Sequence, residues 1–131
     1  MGLLDLLFGS GAKPSKRSSA VSLDREMVLN KWQEIGELME LGGPSRMRSA
    51  IIEADKLLDY ALKAKGFGGE NLGERLKSAK DRMDYSAYDC AWKGHKLRNK
   101  LVHEIEADVL GWEVKQGLKD FERALRDLKV L

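Results

Sequence analysis

Apolar residues recur along this chain at helical intervals. Val28, Trp32, Ile35 and Met39 are separated by four, three and four residues, the spacing of one helical face. They predict a helix over about 23–41, stopped by Gly42-Gly43-Pro44. A second predicted helix follows Ser45 and carries Met47, Ile51, Ala54, Leu58 and Ala61 on one face as far as Gly66. After the turn GFGGEN, Asn71 and Glu74 stand at capping-box spacing and predict a shorter helix over about 72–82. Ser86 with Asp89 suggests the start of a fourth helix running to about Ile105, with Cys90, Leu97, Leu101 and Ile105 as its core stripe. A fifth opens near Gly111, where Glu113 suits the positive end of the helix dipole. Its apolar residues Val114, Leu118, Phe121, Leu125 and Leu128 repeat at four, three, four and three. No segment alternates with the period of a strand, and no internal repeat occurs. The pattern predicts an all-α fold, an antiparallel bundle of about five helices.

Residues 1–21 fall outside that pattern. MGLLDLLFG is apolar, and SGAKPSKRSSA has the composition of a flexible linker. Nine residues cannot bury Leu3, Leu4, Leu6, Leu7 and Phe8 among themselves, so residues 1–9 are expected to be either a frayed tail or a segment contacting a partner or a membrane. The expected organisation is therefore an N-terminal apolar segment and flexible tail, 1–21, and one helical domain, 22–131. A total of 131 residues fits one such domain.

The single cysteine, Cys90, excludes an internal disulfide framework and suits a reducing, cytoplasmic location. No apolar run approaches the roughly 18 residues of a membrane span. The apolar start lacks the basic flank and small-residue cleavage site of a secretory signal. The net charge of +2 excludes a generally basic nucleic-acid-coating protein, but it conceals an uneven distribution. Residues 22–74 sum to −3, residues 75–100 to +5 and residues 101–131 to −2. The basic stretch leads into the chemically richest part of the chain.

That part is the predicted fourth helix. At about 100° per residue, Tyr88, Trp92, His95, Asn99 and His103 fall in one arc away from the expected core stripe. Arg98 flanks the arc on one side, and Lys96 and Lys100 flank it on the other. These groups suit phosphate and proton transfer. Histidine exchanges a proton near neutrality, arginine holds a phosphoryl group through paired hydrogen bonds, and asparagine orients either one. Together they suffice in principle for RNA cleavage without a metal or cofactor, the ribose 2′-hydroxyl attacking the adjacent phosphorus.

Arg98-Asn99-Lys100-Leu101-Val102-His103 is an R-x4-H motif with a polar residue directly after the arginine. In this it resembles the HEPN superfamily of small α-helical domains. The segment Ala50-Ile51-Ile52-Glu53-Ala54-Asp55-Lys56-Leu57-Leu58-Asp59, the segment Leu72-Gly73-Glu74-Arg75-Leu76-Lys77, and the Trp92…His95-Lys96-Leu97-Arg98-Asn99 run are similar to uncharacterised bacterial HEPN-like proteins. The resemblance covers about residues 23–129. It implies a metal-independent endoribonuclease leaving a 2′,3′-cyclic phosphate, and a homodimer with two motifs facing each other across a cleft. It further implies that His103 transfers a proton, Arg98 binds phosphate and stabilises charge, and Asn99 orients. His95 lies outside the minimal motif and is expected to be either a second proton carrier or an RNA contact; Lys96, Lys100, Trp92 and Tyr88 would contact RNA, the aromatics by stacking on bases. Ile105 stands where toxin-type relatives paired with a nucleotidyltransferase antitoxin carry a tyrosine, so that form of regulation is not implied.

Structural roles for the same residues remain open at this level. Arg98 can pair an acid on the second helix, Glu53, Asp55 or Asp59. His103 can cap a helix C-terminus, His95 can serve a surface or an interface, and Trp92 and Tyr88 can line a dimer contact. The same face can also bind RNA or a nucleotide without cleaving it, and the domain can act as a helical interaction module docking through residues 1–9. Metal binding finds little support: His95 and His103 are eight apart and Cys90 has no second thiol. G-x-S-x-G is absent, and Gly66-Phe67-Gly68-Gly69 lacks the Lys-Ser/Thr of a phosphate loop.

Overall fold

A computed structural model describes residues 22–104 and 108–131. The apolar segment and linker of residues 1–21, and Ile105 at the end of the predicted fourth-helix stripe, lie outside the described residues. Five α-helices and no strands occur among the described residues: α1 Arg25–Leu41, α2 Pro44–Ala64, α3 Leu72–Ala79, α4 Tyr85–His103 and α5 Gly111–Asp127. The all-α prediction therefore holds. No helix of the described residues is long and apolar enough to cross a membrane.

Local chemistry sets the boundaries. The Asp24 side chain caps α1, accepting from the Met27 amide at 3.0 Å, and Gly42, at φ +73°, ends the helix. Pro44 occupies the first helical position of α2, where its missing N–H costs nothing, so α2 starts just before the predicted Ser45. Asn71 accepts from the Glu74 amide at 2.9 Å, while the Glu74 carboxylate accepts from the Glu70 amide at 2.9 Å. The predicted third helix ends at Ala79 and continues as a 3₁₀ turn over Lys80–Arg82. The cap of α4 is Asp84, not Ser86. The Asp84 carboxylate accepts from both the amide and the hydroxyl of Ser86, each at 3.1 Å.

Cross-helix contacts fix the directions. The start of α1 meets the end of α2, where the Asp24 amide donates to the Tyr60 hydroxyl at 2.8 Å. Arg123 reaches back from α5 to Asp84 at 2.8 Å, and Lys100 bonds Glu113 at 3.0 Å at the opposite end of the same pair. Thus α4 and α5 are antiparallel. Arg48, near the start of α2, donates to the Leu101 carbonyl near the end of α4 at 3.2 Å, so these helices are antiparallel too.

Helix α2 packs against each of the other four. It buries Ala50, Ile51, Ala54, Asp55, Leu57, Leu58, Ala61 and Leu62, each large apolar side chain contributing about 1.5–3 kcal/mol. Val28 and Ile35 from α1 and Val114, Phe121 and Leu125 from α5 complete the centre, as their spacing predicts. A charge among the apolar residues of the central helix is the exception that leads to the site.

Candidate functional site

The buried face of α4 keeps Leu101 of the predicted stripe but is turned from the rest of it toward smaller residues. Ala87, Ala91, Gly94 and Leu101 are buried, whereas Cys90 and Leu97 are only half-buried. The periodicity went astray because small residues carry little hydrophobic signal, yet they allow helices to approach closely. A Cβ placed on Gly94 would lie 2.9 Å from two ring carbons of Phe121, well inside the roughly 3.5–4.0 Å of a relaxed carbon contact. Positions 87, 91, 94, 98 and 101 form one stripe at steps of four, three, four and three, and its fourth member is Arg98. The motif arginine thus stands on the core-facing side of α4.

Asp55 receives it. On α2, Ile51, Asp55, Leu58 and Leu62 share one face, and the Asp55 side chain is only 9% exposed. Its Oδ1 lies 2.9 Å from Nδ1 of His95, whose side chain is 14% exposed. Its Oδ2 lies 3.6 Å from Nε of Arg98, a side chain 31% exposed. That separation makes an ion pair and not a hydrogen bond, and Nε is buried without a hydrogen-bond partner. The Arg98 Nη1 donates to the Asn99 side-chain oxygen at 3.0 Å. One carboxylate therefore braces both His95 and Arg98, and Asn99 fixes the outer end of the guanidinium. The Asp55–His95 bond favours the tautomer with the proton on Nδ1, leaving Nε2 as the basic nitrogen.

The aromatic residues wall this cluster. Trp92 meets the His95 ring edge-on at a centroid distance of 5.9 Å and the Tyr88 ring at 6.3 Å. It also lies against Gly73 of α3, whose Cβ position would be 3.5 Å from the indole. Tyr88, Trp92, His95 and Asn99 are half-buried, with α2 against His95 and α3 against Trp92. Two neighbouring contacts continue the polar seam along α2: Arg48 to the Leu101 carbonyl, and the Asp59 carboxylate to Nε of Arg75 at 2.8 Å.

Other predicted site residues stand apart. His103 is exposed in the last turn of α4. It is five residues from Arg98, about 7.5 Å along the axis and about 140° around it. Lys96 and Lys100 turn toward α5, where with Lys93, Trp112 and Asp120 they line a groove of about 280 Å³. Lys100 is held there by Glu113 and Lys93 by Asp89, which pushes the Lys93 ammonium pKa up through a hydrogen bond and its charge. The Cys90 thiol pKa is raised, first by burial and then by the Asp120 carboxylate, so the thiol is a poor nucleophile. Among the described residues, no three His, Cys, Asp or Glu side chains form a group that could hold a metal ion.

Asp55 is the site residue that sequence reasoning placed only among structural alternatives. Its signal was an acid four residues after Ile51 and three before Leu58, inside an apolar face, where a charge persists only with partners. Neither family models nor curated proteins nor solved structures match this chain.

Proposed function

We propose that this protein is a HEPN-like, metal-independent endoribonuclease whose site is built on α4. The observation that carries the reading is the Arg98 side chain, one third exposed, its guanidinium braced by buried Asp55 and by Asn99 beside a hydrogen-bonded histidine. Its outward N–H groups hold a phosphodiester through charge-assisted hydrogen bonds and stabilise the charge that grows on the phosphoryl oxygens. The ribose 2′-hydroxyl attacks phosphorus, the bond to the 5′-oxygen breaks, and a 2′,3′-cyclic phosphate and a 5′-hydroxyl result. His103 is the proton-transfer residue that the R-x4-H pattern supplies. A homodimer brings it to the Arg98 of a second copy, which the 140° separation within one helix does not allow.

The test is cleavage of several single-stranded RNAs with analysis of product ends, comparing wild type with Arg98→Ala and His103→Ala. Loss of one phosphate-binding and charge-stabilising group is expected to slow cleavage by roughly 10²-fold or more. Intact RNA with all three proteins would sink the nuclease reading. A second reading is a binding module that does not cleave, and the placing of His103 in the exposed last turn of α4, away from the braced Arg98, favours it. It predicts salt-sensitive RNA binding weakened by Arg98→Ala, with no new fragments.

A further inference from the structure

We infer that His95 is the residue that takes the 2′-hydroxyl proton in this site, and that Asp55 is its positioning residue. The inference rests on the nuclease reading above and deepens it. Within one chain His95 is the histidine that accompanies Arg98. The two are three residues apart, about 4.5 Å along the axis and about 60° around it, and they share the same carboxylate, at 2.9 and 3.6 Å.

Asp55 does three things for His95. It accepts the Nδ1 proton, so the basic lone pair sits on Nε2. It holds the ring against rotation, together with the edge of Trp92. It also balances the positive charge that the imidazole acquires when it accepts a proton. A histidine oriented by a buried carboxylate is a prepared base, and no hydrogen bond among the described residues engages its Nε2. His103, in the exposed last turn of α4, has no comparable partner among the described residues.

The proton balance then closes with two histidines. Nε2 of His95 takes the proton of the 2′-hydroxyl as the new phosphorus–oxygen bond forms. The departing 5′-oxygen takes a proton from His103, and the two histidines exchange their protons with water before the next turnover. His95 and His103 of one chain are eight residues apart, about 12 Å along the helix. That is too far to bracket one phosphate, so the His103 that serves a given His95 belongs to a second copy.

The decisive comparison is the pH dependence of RNA cleavage by the full chain for wild type, His95→Gln, His103→Ala and Asp55→Asn. Glutamine keeps a donor for Asp55 and lacks the basic nitrogen, and helical circular dichroism checks that the variant is folded. Wild type is expected to give a bell-shaped profile. His95→Gln is expected to lower the rate by roughly 10²-fold or more and to abolish the fall on the acidic side, where a base must be unprotonated. His103→Ala is expected to abolish the fall on the alkaline side instead. Nitrogen-15 NMR of the imidazole rings supplies a readout independent of turnover. It should show the Nδ1–H tautomer at His95 in wild type and a changed tautomer ratio in Asp55→Asn. A His95→Gln protein that cleaves at the wild-type rate with an unchanged acidic limb overturns the assignment while leaving the nuclease reading standing. A wild type that leaves RNA intact overturns both. A His95 ring in the Nε2–H tautomer removes the role given to Asp55.

Discussion

Gly94→Ala and Gly36→Ala impose the same chemical change on two helices and should move stability in opposite directions. Replacing a helical glycine with alanine gains about 0.5–1 kcal/mol from backbone entropy alone. At Gly36, on the exposed side of α1, an added Cβ meets nothing within 4 Å, so that gain is expected in full. At Gly94 the Cβ would stand 2.9 Å from Cε2 and Cζ of Phe121 and 3.1 Å from Cδ2. The ring is fully buried and rigid, so it can yield only by moving as a unit, and overpacking of this kind costs about 1–3 kcal/mol. Gly94→Ala should therefore lose up to about 2.5 kcal/mol net, about 1 at the middle of both ranges. The difference between the two variants isolates the overpacking cost, because the entropy gain is common to both. Urea unfolding followed by helical circular dichroism measures both midpoints, and an unchanged denaturant slope shows that the midpoint shifts report stability. If Gly94→Ala proved as stable as Gly36→Ala, the close approach of α4 to α5 would be refuted. The orientation of α4 that points Arg98 at Asp55 would fall with it.

Two further outcomes follow from polar contacts. Arg75→Ala leaves Asp59 without its 2.8 Å partner and is expected to cost about 2–3 kcal/mol, below the figure for a fully buried pair because Asp59 keeps contact with water; a loss under about 0.5 kcal/mol would show that the seam beside the site is not structural. The Asp84 carboxyl pKa is held below its usual 3.8 by the Ser86 hydroxyl first, with helix-cap amides and Arg123 adding to it. Since the folded value is depressed, its contribution is present above the unfolded value and is lost as pH falls through the folded one. The stability advantage of wild type over Asp84→Asn should thus be full above about pH 5 and shrink on acidification below about 4. An advantage unchanged by acid in thermal melts would contradict the assignment.

Apolar periodicity was enough to read α1, α2 and α5, with their faces, from the chain. Val28 and Ile35, Ile51 and Leu58, and Phe121 and Leu125 are buried where their spacing puts them, because large apolar side chains on one face can be satisfied only by burial. The same logic misplaced the core of α4. Besides Leu101 and Arg98 its inward face is alanine and glycine, which carry little hydrophobic signal, and at Gly94 the Phe121 ring stands directly against the backbone. Candidate chemistry was legible as residue types on one helix: Arg98, Asn99, His95 and His103 could all be named. Their grouping was not.

What the sequence by itself determined is a bundle of five helices carrying an R-x4-H motif, and a basic stretch that leads into it. Only the tertiary structure decided which of those side chains lie together. It set Arg98 and His95 on a shared carboxylate from α2, turned Lys96 and Lys100 toward α5, and left His103 exposed at the helix end. The physical reason is that an acid within an apolar face announces its own burial, whereas the partner that makes burial tolerable is chosen by how two helices cross.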